Sequence, residues 1–174
     1  MKNNFYIMLI IMLLVTLLFS SNIFAEKKES KINLVEGIEF YYNGEYENAI
    51  KYLSHYIDST SSNENLYINA LYYQTLSFIE NIDVNKTKEN IGILKDLGYE
   101  FGMLHWKLGE IYLNKKSFFD SPYYNEARKQ LEKASMLGID SSSFHSDLAS
   151  AYQGLELAEK AIKEYELALE KKDN

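Results

Sequence analysis

Two stretches of this chain are copies of one unit, and that restricts the fold more than any other feature. Leu97-Gly98-Tyr99-Glu100 returns 40 residues later as Leu137-Gly138-Ile139-Asp140. His105, Leu108, Gly109 and Tyr112 return at the same offset as His145, Leu148, Ala149 and Tyr152. Behind each of these runs comes a second, with alanine at fixed spacing: Ala127, Leu131 and Ala134, then Ala161, Tyr165 and Ala168. Steps of three and four place each set on one face of a helix. The unit is therefore a pair of helices. A single hairpin of this size cannot bury both of its apolar faces, so copies must stack and share a seam.

The rest of the chain reads as weaker copies behind a targeting segment. Residues 1–25 have the form of a signal peptide: Lys2, an apolar run from Phe5 to Phe19, a break at Ser20-Ser21-Asn22, and Ala25 before the cut. Ile23 departs from the small residue usual three positions before a cleavage site, which leaves an uncleaved membrane anchor over 5–19 as the alternative. Residues 26–31 form a short charged linker. The repeat domain is expected over 32–172, in pairs at about 32–58, 64–97, 100–137 and 141–172. Asn43-Gly44 separates the two helices of the first pair, and Gly37 and Ala49 are the small residues at which they approach. In the second pair either Thr75 or Ser77 takes the small-residue position. The link from Asn114 to Pro122 is longer than its counterparts, and Pro122 suits a first helical turn. Gly98 and Gly138 stop the second helices.

These residues resemble the tetratricopeptide repeat (TPR) family. Leu148, Ala149, Tyr152, Ala161, Tyr165 and Ala168 sit at its spacing, and so do Gly37, Phe40, Gly44, Tyr46, Ala49, Leu53 and Tyr56. The inserted loop, with Lys133-Ala134-Ser135-Met136-Leu137-Gly138, looks like the related Sel-one-like repeat. The resemblance implies an all-α fold, a right-handed α-solenoid of about four antiparallel helix pairs. An ordinary four-helix bundle is the competing reading, and the fixed alternation of helix pairs disfavours it.

Composition excludes several kinds of function. An apolar fraction of 47% supplies a core, and one proline and eight glycines leave long helices uninterrupted. Net charge is −7, and the signal contributes only Lys2, so the remainder is more acidic still. Such a body lacks the basic surface of a nucleic-acid binder and has no electrostatic attraction to anionic lipid. Any membrane link runs through the N-terminal segment. The absence of cysteine excludes disulfides, thiolate catalysis and lipid attachment at a cysteine. No phosphate loop, His-Glu-x-x-His or Gly-x-Ser-x-Gly motif occurs, and no cofactor is implied. His105 and His145 are equivalent by repeat, which points to packing rather than to a metal.

The sequence therefore indicates a non-enzymatic protein that binds another protein. It would be exported to the periplasm or cell envelope of a bacterium, or secreted, with inner-membrane anchoring the alternative. A second reading is a regulatory or assembly subunit of an envelope enzyme complex. In the resembled family, first helices line a concave groove that holds a partner. Carrying that register over gives Leu34, Ile38, Tyr41 and Tyr42 in pair one, and Gln74 and Phe78 in pair two if Ser77 sets the register. Pair three gives Met103, Trp106, Glu110 and Asn114, and pair four gives Ser146, Ser150 and Gln153. The first three sets look apolar and aromatic, suited to an apolar partner segment. Each of these residues has core packing as its alternative role. The last helix carries a wide apolar arc and is expected to dock on a partner or on a second copy.

Overall fold

The computed structural model describes residues 31–62, 65–114 and 121–172; the signal segment lies outside them, as does most of the inserted loop. The described residues form helices joined by tight turns, with no strand among them. Helix α1 covers 31–42, followed by α2 (Tyr46–Ser59), α3 (Asn65–Glu80), α4 (Val84–Asp96), α5 (Gly102–Asn114), α6 (Ser121–Met136), α7 (Ser142–Gly154) and α8 (Ala158–Lys172). The chain divides into two compact units within α3, after Ala70.

In the first unit α1 and α2 run antiparallel. Phe40 packs on Tyr52 with ring centroids 5.0 Å apart, and Tyr41 lies near Tyr46. Their closest approach is at Gly37, where a Cβ would stand 2.7 Å from Leu53 Cγ. Ala49, Leu53 and Tyr56 form the buried face of α2.

In the second unit α5 packs on α6 and α7 on α8, while α7 also covers α6. Gly109 repeats the approach seen at Gly37: a Cβ there would stand 2.7 Å from Leu131 Cγ. Ala127, Leu131 and Ala134 are fully buried, and Phe144, Leu148 and Tyr152 of α7 join the same core. Burial of a leucine in this manner contributes about 1.5–3 kcal/mol.

The turns decide the register that the sequence left open. Gly44, Ile82 and Glu156 all have positive φ, and each closes its first helix with the same six-residue hydrogen bond. These bonds are Glu45 N to Phe40 O, Asp83 N to Phe78 O and Leu157 N to Tyr152 O, at 2.8–2.9 Å. Phe78 therefore stands where Phe40 and Tyr152 stand. Counting back three residues, Thr75, not Ser77, holds the place of Gly37 and Ala149. Thr75 and Ser77 are both fully buried, and each satisfies its hydroxyl by donating to a carbonyl four residues earlier. Gly98 and Gly138, both at positive φ, end α4 and α6 as expected. Ser141 caps α7, its side chain accepting from Phe144 N.

Two stability outcomes follow from these contacts. Gly109→Val forces Leu131 out of its packing and should cost about 1–3 kcal/mol, whereas Gly92→Ala, on the open side of α4, should gain up to about 1 kcal/mol. Chemical denaturation measures both, and equal effects would contradict the close approach. Ile82 is a β-branched residue at φ 59°, exposed to solvent. Ile82→Gly should raise stability by about 1 kcal/mol in the same assay, because glycine adopts this conformation without the steric penalty.

Candidate functional site

The open face of the second unit carries two hollows that meet over the end of α5. One, of about 360 Å³, is lined by Ile79, Glu80, Ile82, Lys107, Glu110, Ile111 and Asn114. The other, of about 500 Å³, is lined by Glu110, Leu113, Asn114, Tyr124, Asp147, Ser150, Gln153 and Gly154. Glu110 and Asn114 belong to both. On the wall of the larger hollow α7 passes close to α6 at Gly154, where any side chain would run into the Tyr124 ring. Volumes of this size suit a side chain or short segment of a ligand.

Its chemistry is acidic. Trp106 lies half-buried, edge-on to Phe144, and its indole donates to Asp147 Oδ2 at 2.7 Å. Lys107 pairs with Glu110 at 2.7 Å, one turn along α5. Burial raises the Asp147 carboxyl above its ordinary range; the nearby Glu110 charge adds to this, while the Trp106 hydrogen bond and Lys107 oppose it. Below the hollow, burial and the adjoining Glu132 push the Tyr152 hydroxyl up to about 12. That hydroxyl donates to Glu132 Oε1 at 3.0 Å, tying α7 to α6.

Glu110, Asn114, Ser150 and Gln153 were expected on a groove wall, and the structure brings these four together. Ser150 spends its donor on Ser146 O, and Ser146 on Ser142 O. Gln153 accepts from the Tyr165 hydroxyl at 2.9 Å. Met103, Trp106 and Ser146 are half-buried on the first helices of their pairs. Three expected residues are interior instead. Leu34 is buried in the first unit. Gln74 is buried and accepts from Asn90 at 2.8 Å, and Phe78 is buried beneath Lys86. The last two follow from the register, since Thr75 turns this part of α3 inward. Ile38 and Tyr41 are half-buried and Tyr42 is 70% exposed; all three belong to the first unit.

The smaller hollow has apolar wall from Ile79, Ile82 and Ile111, whereas the larger is mainly polar, with Trp106 packed on Phe144 and bonded to Asp147. Sequence reasoning missed Asp147, Tyr124 and Lys107. The i,i+3 pair of Lys107 and Glu110 was readable. The Trp106–Asp147 bond was not, because it joins neighbouring repeats.

His105 and His145, expected to serve packing, are buried. His105 Nδ1 meets Gln130 Oε1 at 2.8 Å. His145 Nδ1 meets Glu164 at 2.6 Å and its Nε2 meets Asp140 at 2.7 Å. Gln130 and Glu164 are equivalent by repeat, so this is one polar bridge made twice. The charged copy is extended by Lys171, whose bond to Asp140, with His145, holds that carboxyl below its ordinary range. No group of three or more potential metal ligands occurs among the described residues.

No protein-family model matches the sequence, and no curated protein does. Solved structures do match. A crystal structure of MamA superposes with a TM-score of 0.69 over 86% of this chain and 81% of that one, at 18% identity. A second MamA structure, labelled AMB-1, gives 0.65 over 84% and 74%, at 14% identity. TTC0263, a thermophilic TPR protein in Thermus thermophilus, gives 0.58 over 83% and 75%, at 19% identity. Identities this low establish the fold alone: it is TPR-like and all-α, as the repeat implied. These matches lend no support to the Sel-one-like character expected of the third pair.

The raised Asp147 carboxyl has a consequence for stability. Below the ordinary aspartate value, 3.8, both folded and unfolded chains carry the proton and the group has no effect. Above it the unfolded chain ionises first, so stability falls until the folded carboxyl has ionised too. Asp147→Asn keeps an acceptor for Trp106 and removes this loss. It should melt higher than the parent at pH 7 and equally near pH 3; a variant that melts lower at pH 7 would show that the charge stabilises the fold.

Proposed function

We propose that this protein is an exported, non-enzymatic scaffold or adaptor, and that the hollow over the end of α5 holds a segment of another protein by a basic side chain. One observation carries the reading. Asp147 is a half-buried carboxylate with one oxygen satisfied by Trp106, and it shares a 500 Å³ hollow with Glu110. Burial and the Glu110 charge both disfavour ionisation of Asp147. A guanidinium or ammonium group entering beside Asp147 relieves this and also meets Glu110, which Lys107 pairs from one side, with the Asn114 and Gln153 amides and Ser150 as neutral neighbours. Leu113 and Tyr124 supply apolar wall for the flanking residues of the segment. The TPR-like fold supports protein binding in general. The signal-like pattern of residues 1–25 supports the periplasm or envelope of a bacterium as the location. Among the described residues no helix is long and apolar enough to cross a membrane.

Selection from a random peptide display library on the full chain tests the site. Peptides with Lys or Arg beside apolar residues should be enriched. Glu110→Lys and Asp147→Asn should each weaken them tenfold or more, the scale of a hydrogen bond to a charged group. Selection of acidic or neutral peptides, or equal binding by both variants, would remove the proposal. N-terminal sequencing of the protein from an envelope fraction should begin at Glu26; an intact Met1 would indicate anchoring.

A further inference from the structure

Helix α8 carries an apolar stripe that the structure leaves open. Ile162 is 58% exposed, Leu169 65% and Tyr165 37%, and they succeed one another at three- and four-residue steps on one face. Inside the molecule α7 covers part of the corresponding face of α6: Leu131, in the place of Tyr165, is buried, Arg128, in the place of Ile162, is half-buried, and Ser135, in the place of Leu169, is exposed. The repeat therefore supplies a template for what covers α8, since α6 and α8 align at an offset of 34 from Ala127 and Ala161 onward.

The template shows one difference. On α6, Glu132 is paired with Arg128 at 2.9 Å and accepts from the Tyr152 hydroxyl of the covering helix at 3.0 Å. On α8 the same two positions are Glu166 and Ile162. The arginine has become an apolar residue, and no helix of the described residues lies over Glu166 to bring it a hydroxyl. Glu159 stands two turns before Glu166 along the same edge of the stripe. Thus α8 offers more apolar surface than α6 and retains the carboxylate without the arginine.

We infer that this face docks an amphipathic helix of another protein, one with a basic residue beside its apolar seam at the place that Tyr152 occupies on α7. The cation meets Glu166, and the seam covers Ile162, Tyr165 and Leu169. A second copy of this chain is the poorer occupant. Two α8 helices laid antiparallel on this face would bring the edges of Glu159 and Glu166 against each other, and like charges there repel. The stripe adjoins the hollow through the Tyr165–Gln153 hydrogen bond, but the contacts proposed here use neither Glu110 nor Asp147.

The test uses the full chain and two synthetic amphipathic helical peptides with one apolar seam, flanked in one by Lys and in the other by Glu. In fluorescence anisotropy the lysine peptide should bind at least tenfold more tightly. Ile162→Asp and Leu169→Asp, at exposed positions, should each abolish that binding, and Glu166→Lys should transfer the preference to the glutamate peptide. Glu110→Lys should leave it unchanged, which separates this site from the hollow. Equal binding of the two peptides, insensitivity to Ile162→Asp, or a dimer in light scattering that Ile162→Asp disperses would overturn the inference.

Discussion

The structure depends on how closely the two helices of a pair can approach. At Gly37 and Gly109 the partner leucine occupies the space where a Cβ would be. Where the position holds Thr75 or Ala149, the side chain is small and fully buried. This contact lets the second helix lie flat against the first, which buries Leu53 and Leu131 completely. The turn chemistry serves the same contact. Seven residues after Gly37, Thr75 and Ala149 comes a residue with positive φ, and five residues later comes the small residue of the second helix, Ala49, Thr87 or Ala161. Glycine fills the turn once; Ile82 and Glu156 fill it against their own preference, because the geometry of the pair requires the turn there.

A second device runs through the pairs. A polar side chain on the first helix meets one on the second: His105 with Gln130, and His145 with Glu164. Buried polar groups are costly unless they are paired. Each bridge therefore fixes the rotation of one helix against the other more sharply than leucines can. In the last pair the bridge is charged and extends through Asp140 to Lys171. It fastens α8 along one side, while the stripe of Ile162, Tyr165 and Leu169 remains open on another.

The acidic hollow follows from the same packing. Trp106 is drawn inward by Phe144 and by the Asp147 carboxylate. What remains outside is Glu110, Asn114 and Gln153, on residues that successive first helices bring to one side. The surface available for binding is thus the part of each first helix that the seam does not consume.

The repeat of the last two pairs was legible from the sequence, because the seam leaves residues of fixed size at fixed intervals: Gly109 and Ala149, Ala127 and Ala161, Tyr112 and Tyr152. From it came the helix pairs, their turns and the TPR-like fold. The register of the second pair was not legible, because Thr75 and Ser77 are equally small and both bury a hydroxyl; the carbonyl of Phe78, bonded across the turn, distinguishes them. Nor could the sequence show that Trp106 bonds the Asp147 carboxylate of the next first helix, or that Gln74 pairs with Asn90. Periodicity reports which face of a helix is apolar. Which polar atom meets which across two helices depends on distances of a few ångströms between elements far apart in the chain, and only the folded arrangement sets those.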